Sequence, residues 1–376
     1  MFHRLLTPQR KPLPPQSRPG SGQAGRAWLA AALLGLLALA CSREPQPWPT
    51  YTPIISPVTL PALIPTGVST LQASPTPPPA NTPAPSSAPE PSATPADTLL
   101  PEASPTPEPS PAPEYPYTSF AVIGDYGSAD QNAENVANLI HSWNVDFIIT
   151  TGDNNYPLGE YETIDDAIGE NYHSYIYPYQ GHHGEGSSYN RFFPCLGNHD
   201  LYTDNGQPYF DYFQLPGNER YYEFTWGPLH FFALNNNTGE PDGIGASSIQ
   251  AAWLQERLAA STLPWKIVYM HVAPLSSGST YGSTDWAQWP YAEWGASAVL
   301  AGHEHVYERL DFNGIPYFVN GLGGGTRYAF GDTLPWSMER YYAQHGAMLV
   351  EATGEYISFQ FIAWYGEVID TYVMYK

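Results

Sequence analysis

From Tyr117 onward the chain alternates between short apolar runs and polar, glycine-bearing turns. Phe120-Ala121-Val122-Ile123 predicts a buried strand that stops at Gly124-Asp125. Asn132 to Trp143 carries Val136, Leu139 and Ile140 at helical spacing and predicts an amphipathic helix. Val145 to Thr150 reads as the next strand, stopped by Gly152-Asp153, and Phe192 to Leu196 runs into Gly197-Asn198-His199-Asp200. A second helix is predicted over Ile249 to Ala260, with Trp253, Leu254 and Leu258 inward. Trp265 to Met270 predicts a strand ending at His271, and Ala298 to Ala301 one ending in Gly302-His303-Glu304-His305. Tyr307 to Tyr372 reads as strands joined by Gly-rich turns.

Five apolar strands thus run into loops that begin with a polar residue able to bind metal. The β-α-β spacing of the first half implies parallel pairing. Parallel pairing collects those residues where the carboxyl ends of neighbouring strands converge. The expected fold class is α/β: two packed β-sheets flanked by helices, in one domain over residues 117–376.

The first 116 residues have a different texture. Arg4, Arg10, Lys11, Arg18 and Arg26 precede an apolar stretch from Trp28 to Ala40. At 13 residues it is too short for a bilayer span, which needs about 20, and suits the apolar region of an export signal. Residues 1–41 are therefore expected to be a signal peptide. The cut before Cys41 resembles a bacterial lipoprotein signal, which would lipidate that cysteine; ordinary cleavage is the alternative. Residues 42–116 follow as a linker, and residues 44–116 hold 23 of the 40 prolines. Such a segment cannot build a core and is expected to be a disordered, polyproline-like tether. Fully extended, it would reach roughly 230 Å.

Charge sharpens the picture. Residues 1–116 carry six basic and six acidic side chains, so residues 117–376 hold the whole net charge of −22. A surface that acidic repels nucleic acid and favours a small substrate drawn to a local positive centre. The two cysteines, Cys41 and Cys195, imply no disulfide framework. Cys195 lies in an apolar run and reads as a small buried hydrophobe. A membrane contact is expected only through a lipid at Cys41, and the oligomeric state is not legible.

Singly, each polar strand end has a plain structural reading: Asp125 as a helix cap, Asn198-His199-Asp200 as a turn, His303 and His305 as same-face strand residues. Together, Asp125, Asp153, Tyr156, Asn198, His271, His303 and His305 offer three kinds of oxygen and three imidazoles. That mix suits iron, manganese and zinc, and not the thiolate-seeking centres.

The order GDYG, GDNNY, GNHD, VYMH and GHEHVYER resembles the five signature blocks of the calcineurin-like metallophosphoesterases. Tyr156 in GDNNY resembles the purple acid phosphatase branch, and NERYYEF, HFFALN and AAWLQERL add to the likeness across residues 118–350. The resemblance implies the metallophosphoesterase αββα sandwich. It implies a first metal, Fe(III), on Asp125, Asp153, Tyr156 and His305. It implies a second, Fe(II), Zn or Mn, on Asp153, Asn198, His271 and His303, with Asp153 bridging.

The expected function is that of an exported phosphomonoesterase, hydrolysing small phosphate esters by attack of metal-activated hydroxide. His199 would act as general acid. Asp200 has two readings, a carboxylate that orients His199 or a turn-stabilising side chain. A phosphodiesterase on the same metals is the alternative, and a tethered binding protein with a relic site is a third reading. One departure from plant-type members concerns the loop Val272 to Trp289, which has no histidine. Phosphate grip would then come from Ser276, Ser277, Ser279, Thr280, Tyr281 and Ser283, or from His182 and His183. His3, His141, His173, His230 and His345 read as structural or surface residues.

Overall fold

The computed structural model describes residues 114–376. The signal segment, Cys41 and the linker up to Pro113 lie outside the described residues. Strand β1 (Thr118–Ile123) leads through helix α1 (Gln131–Trp143) into β2 (Phe147–Thr150), and β3 (Phe192–Pro194) follows. All three pair in parallel, as the β-α-β spacing predicts. Asp130 starts α1 by accepting the amides of Asn132 and Ala133, and Asn144 ends it in the left-handed conformation.

A second series begins with β4 (Tyr222–Trp226) and β5 (Leu229–Ala233), then helix α2 (Ile249–Ala260), β6 (Trp265–Val272) and β7 (Ala298–Gly302). Strands β5, β6 and β7 are again parallel neighbours. The remaining chain forms β8 (Tyr307–Phe312), β9 (Ile315–Asn320), β10 (Ser337–Tyr341), β11 (Gly346–Ala352), β12 (Tyr356–Ala363) and β13 (Val368–Tyr375). The result is a six-stranded sheet ordered β13-β12-β11-β1-β2-β3 and a seven-stranded sheet ordered β10-β8-β9-β7-β6-β5-β4.

The period of two along each strand explains how the sheets pack. On β6, Ile267 and Tyr269 join the core shared with β1 and β2, whereas Val268 and Met270 face the outer layer with Leu254 and Leu258 of α2. On β7, Ala298 and Leu300 face the shared core, and Val299 and Ala301 the outer one. Phe120 of β1 and Phe147 of β2 stack at 5.0 Å. Phe231 of β5 meets both rings edge-on, at 5.1 and 5.4 Å. This is the α/β arrangement expected, two sheets face to face with helices outside. Cys195 is a buried free thiol.

Because Phe231 is fully buried between the sheets, Phe231→Ala is expected to cost about 3–5 kcal/mol in urea denaturation. A loss below about 1 kcal/mol would show that the sheets do not depend on that shared core.

Candidate metal centre

Each candidate residue sits where a strand gives out. Asp125 follows β1, Asp153 follows β2, Asn198 follows β3, His271 lies near the end of β6, and His303 follows β7. Three of these residues hold left-handed backbone: Asp125 at φ 56°, Asp153 at φ 53° and His303 at φ 68°. That conformation costs about 1–3 kcal/mol for a residue with a side chain and persists where surrounding contacts enforce it. Here the contacts are visible. The His303 amide donates to Asp125 Oδ2 at 2.9 Å, and the His199 amide to Asp153 Oδ1 at 2.9 Å. Glycines make the crossing space: a Cβ on Gly197 would lie 2.2 Å from Asp153 Oδ1, and one on Gly302 2.5 Å from Asp125 Oδ2.

The seven side chains fall into two touching groups. In the first, His305 Nε2 lies 3.1 Å from Asp125 Oδ1 and 3.2 Å from the Tyr156 hydroxyl. His305 Nδ1 faces the Thr326 carbonyl at 2.6 Å, so that nitrogen carries the proton and Nε2 is left for the centre. In the second, His271 Nδ1 faces the Thr151 carbonyl at 2.8 Å. His271 Nε2 then meets Asn198 Oδ1 at 3.0 Å, His303 Nδ1 at 3.0 Å and Asp153 Oδ1 at 3.4 Å. The Asn198 amide nitrogen is turned away, 3.1 Å from the Tyr202 hydroxyl, which leaves its oxygen on the inside. One proton could join one pair of these atoms, whereas a cation satisfies all of them together.

Electrostatics point the same way. Asp125, Asp153 and His271 are buried, and the ion pairs described for these carboxylates are with histidines alone. Burial raises the Asp125 carboxyl, but His305 outweighs it and holds the group below its usual value. Burial lowers His305, and Asp125 outweighs that in turn, raising the ring; a proton and a metal ion would compete for the same Nε2 lone pair. Burial, then His271, lowers His303 to about 3, keeping it neutral as a ligand must be. Burial, then Asp125 and Asp153, holds the Tyr156 phenol well above its usual value, so its phenolate requires a strong Lewis acid beside it. Oxygen and nitrogen donors without thiolate, two buried carboxylates, and Asp153 in reach of both groups fit a bridged metal pair.

His199 stands beside the site with Nε2 3.9 Å from Asp153 Oδ2. The reading of Asp200 as its orienting carboxylate is corrected by the structure. Asp200 is buried and accepts the amides of Asn154, Asn155 and Gly197 and the Asn154 side chain, at 2.8 to 3.1 Å. It clamps the two ligand-bearing loops together. The carbonyl of Pro157, 2.6 Å from His199 Nδ1, orients the ring instead. The hydroxyl loop is corrected too. Ser276 and Ser277 spend their hydroxyls on buried Glu308, Ser279 on the Ala329 carbonyl, and Ser283 on that of Ser276. Glu304 accepts the amides of Thr280 and Gly282. His182 and His183 pair with Asp165 and Asp166. Reasoning from residue type alone missed the aromatic walls, Tyr281 stacked on His303 at 3.8 Å and Tyr328 on His305 at 4.2 Å.

A family model of the calcineurin-like phosphoesterases matches residues 118–307. The chain belongs to that family. Its members are hydrolases of phosphoric ester bonds that depend on a pair of metal ions. Mouse tartrate-resistant acid phosphatase type 5 is 24% identical over 247 residues, covering 55% of this chain and 73% of that protein. Among solved structures, a purple acid phosphatase from yellow lupin seeds aligns with a TM-score of 0.56 at 16% identity, over 69% of this chain and 54% of that one. This chain therefore spans about half the length of the lupin enzyme. GAP50, the anchor in the inner membrane complex of Plasmodium, aligns with a TM-score of 0.54 at 19% identity, over 69% of this chain and 89% of that one. The likeness to purple acid phosphatases agrees with the branch that Tyr156 suggests.

The clamp makes Asp200→Ala a distinguishing variant. It leaves the amides of Gly197, Asn154 and Asn155 unpaired and is expected to cost on the order of 3 kcal/mol. Metal content should fall with it, while the dependence of the remaining activity on leaving-group pKa stays as in the parent. A changed leaving-group dependence at full metal content would restore the role at His199.

Proposed function

We propose that the protein is a dinuclear-metal phosphomonoesterase of the purple acid phosphatase type, working outside the cytoplasm. The carrying observation is the convergence of Asn198 Oδ1, His303 Nδ1 and Asp153 Oδ1 on His271 Nε2, beside the Asp125–Tyr156–His305 group. Asp125, Tyr156 and His305 would hold the first metal, Asn198, His271 and His303 the second, and Asp153 would bridge. Fe(III) suits the first position because of the phenol at Tyr156, and Fe(II), Zn or Mn the second. Bound there, the pair supplies Lewis acidity toward phosphate oxygens and lowers the pKa of water.

The chain's own groups do the rest. His199 keeps Nδ1–H on the Pro157 carbonyl, so Nε2 is the atom that holds a proton for the leaving alkoxide. Tyr156 and Tyr202 stand edge-on to its ring at 4.6 and 5.1 Å and limit its rotation. A cleft of about 460 Å³ opens beside Asn198 and His303, walled by Tyr281 and Trp286, and suits a small ester. The apolar stretch before Cys41 supports export, with a lipid on Cys41 and the proline-rich segment as tether. The Plasmodium anchor shares the fold, but the complete donor set here argues for catalysis rather than a relic.

Turnover of a phosphate monoester is expected to exceed that of the matching diester; a strong diester preference would overturn the monoesterase reading. His199→Ala should retain both metals and lose about 10²–10⁴-fold in rate, most for leaving groups of high pKa. The centre should hold two ions, both lost in Asp153→Ala, with a visible tyrosinate–iron band that Tyr156→Phe removes. Two zinc or manganese ions without that band would place the protein in the broader family.

A further inference from the structure

A second cluster of metal-binding side chains lies outside the site just described. Asp165 and Asp166 begin a π-helical turn, Asp165–Gly169, and His182 and His183 sit in the loop Gly181 to Gly186. His182 Nδ1 lies 2.6 Å from Asp165 Oδ2, and its Nε2 3.5 Å from Asp166 Oδ1. His183 Nε2 lies 2.9 Å from Asp166 Oδ1 and 3.9 Å from Asp165 Oδ2. Donor atoms of Asp165, His182 and His183 all fall within 4.8 Å of one another. Bonds of about 2.1 Å in a tetrahedron put neighbouring donors roughly 3.4 Å apart, in the middle of these separations.

The cluster is also built rather than incidental. The other Asp165 oxygen, Oδ1, accepts the hydroxyls of Tyr179 and Tyr212, both at 2.8 Å. The His182 amide donates to Oδ2 at 2.9 Å, and the His183 amide to the Tyr179 hydroxyl at 3.0 Å. These bonds fix the carboxylate's orientation, as supporting groups do around metal ligands. Glycine brings the loop this close: a Cβ on Gly181 would lie 2.0 Å from Asp165 Oδ1. Exposed ion pairs are worth little by themselves. Such pairs do not explain why two imidazoles converge on one fixed carboxylate.

We infer that Asp165, His182 and His183, with Asp166 beside them, form an additional divalent transition-metal site that pins the glycine-rich loop ahead of β3 to the π-helical turn. Two imidazoles and one carboxylate, with water completing the tetrahedron, suit Zn²⁺. His182 is 72% exposed, so the ion has an open path from solvent. The site is independent of the dinuclear reading.

The test is calorimetric titration of the chelator-stripped full chain with Zn²⁺ at neutral pH. In an Asp153→Ala background, which disables the bridged centre, one equivalent of Zn²⁺ should still bind with micromolar affinity. Adding His182→Ala and His183→Ala should abolish that equivalent. In the otherwise unaltered chain, the same two histidine changes should lower zinc stoichiometry by one and leave ester hydrolysis intact. This second arm holds even where Asp153→Ala fails to fold. Loss of hydrolysis with the surface variants, or an unchanged zinc count, would overturn the proposal.

Discussion

Several buried acceptor atoms face one another at the centre of this fold, and they need a cation to coexist. His271 Nδ1 and His305 Nδ1 are both committed to backbone carbonyls, so their Nε2 atoms arrive as lone pairs. Carboxylate, phenol and carboxamide oxygens arrive at the same points. Leaving such groups desolvated and unpaired costs several kcal/mol each. The left-handed backbone at Asp125, Asp153 and His303 adds to that cost. Metal bound there would return that energy, and metal affinity would then be folding energy as well.

The two sheets divide the task. Asp125, Asp153 and Asn198 come from the six-stranded sheet, and His271 and His303 from the seven-stranded one. The centre is thus assembled across the sandwich, at the carboxyl ends of both parallel runs. Crosslinks hold that seam: the Asn320 side chain of β9 donates to Val122 of β1 at 2.8 Å, and the Gly323 amide to Gly124 at 3.0 Å. The aromatic stack of Phe120, Phe147 and Phe231 lies between the same strands. Core packing and ligand geometry are therefore one problem rather than two.

Much of this was legible in the sequence because both periods were clean. Apolar runs of four to six residues marked β1, β2, β6 and β7, and α1 and α2 carried helical spacing. Strands β4 and β5 escaped, since Tyr222–Trp226 and Leu229–Ala233 are short and crowded with aromatics that fit several elements. At the site, residue type and chain order brought out the seven side chains that the fold gathers, because a strand end followed by a polar residue is a local signal. The partners of Asp200 were not legible. They are chiefly backbone amides, two of them from a loop about 45 residues upstream, and amides carry no residue identity. The hydroxyls of the loop after His271 misled for the same reason: Glu304 and Glu308, which absorb much of that loop's polarity, look like ordinary charged positions in GHEHVYER.

That loop lines the cleft beside the centre. With Ser276, Ser277 and Ser279 tied inward, it presents Tyr281 and Trp286 to the cleft rather than a row of phosphate donors. In the proposed function, phosphate would then be held chiefly at the centre itself, with the cleft wall against the rest of the ester. The surrounding surface strengthens the argument, since residues 117–376 carry 30 acidic against eight basic side chains. A polyanionic substrate meets repulsion over the whole approach, and the Debye length of about 8 Å at physiological salt confines any attraction to the immediate neighbourhood of the centre. Under the proposed function, this distribution of charge and aromatic surface favours a small phosphate ester over a polyanion.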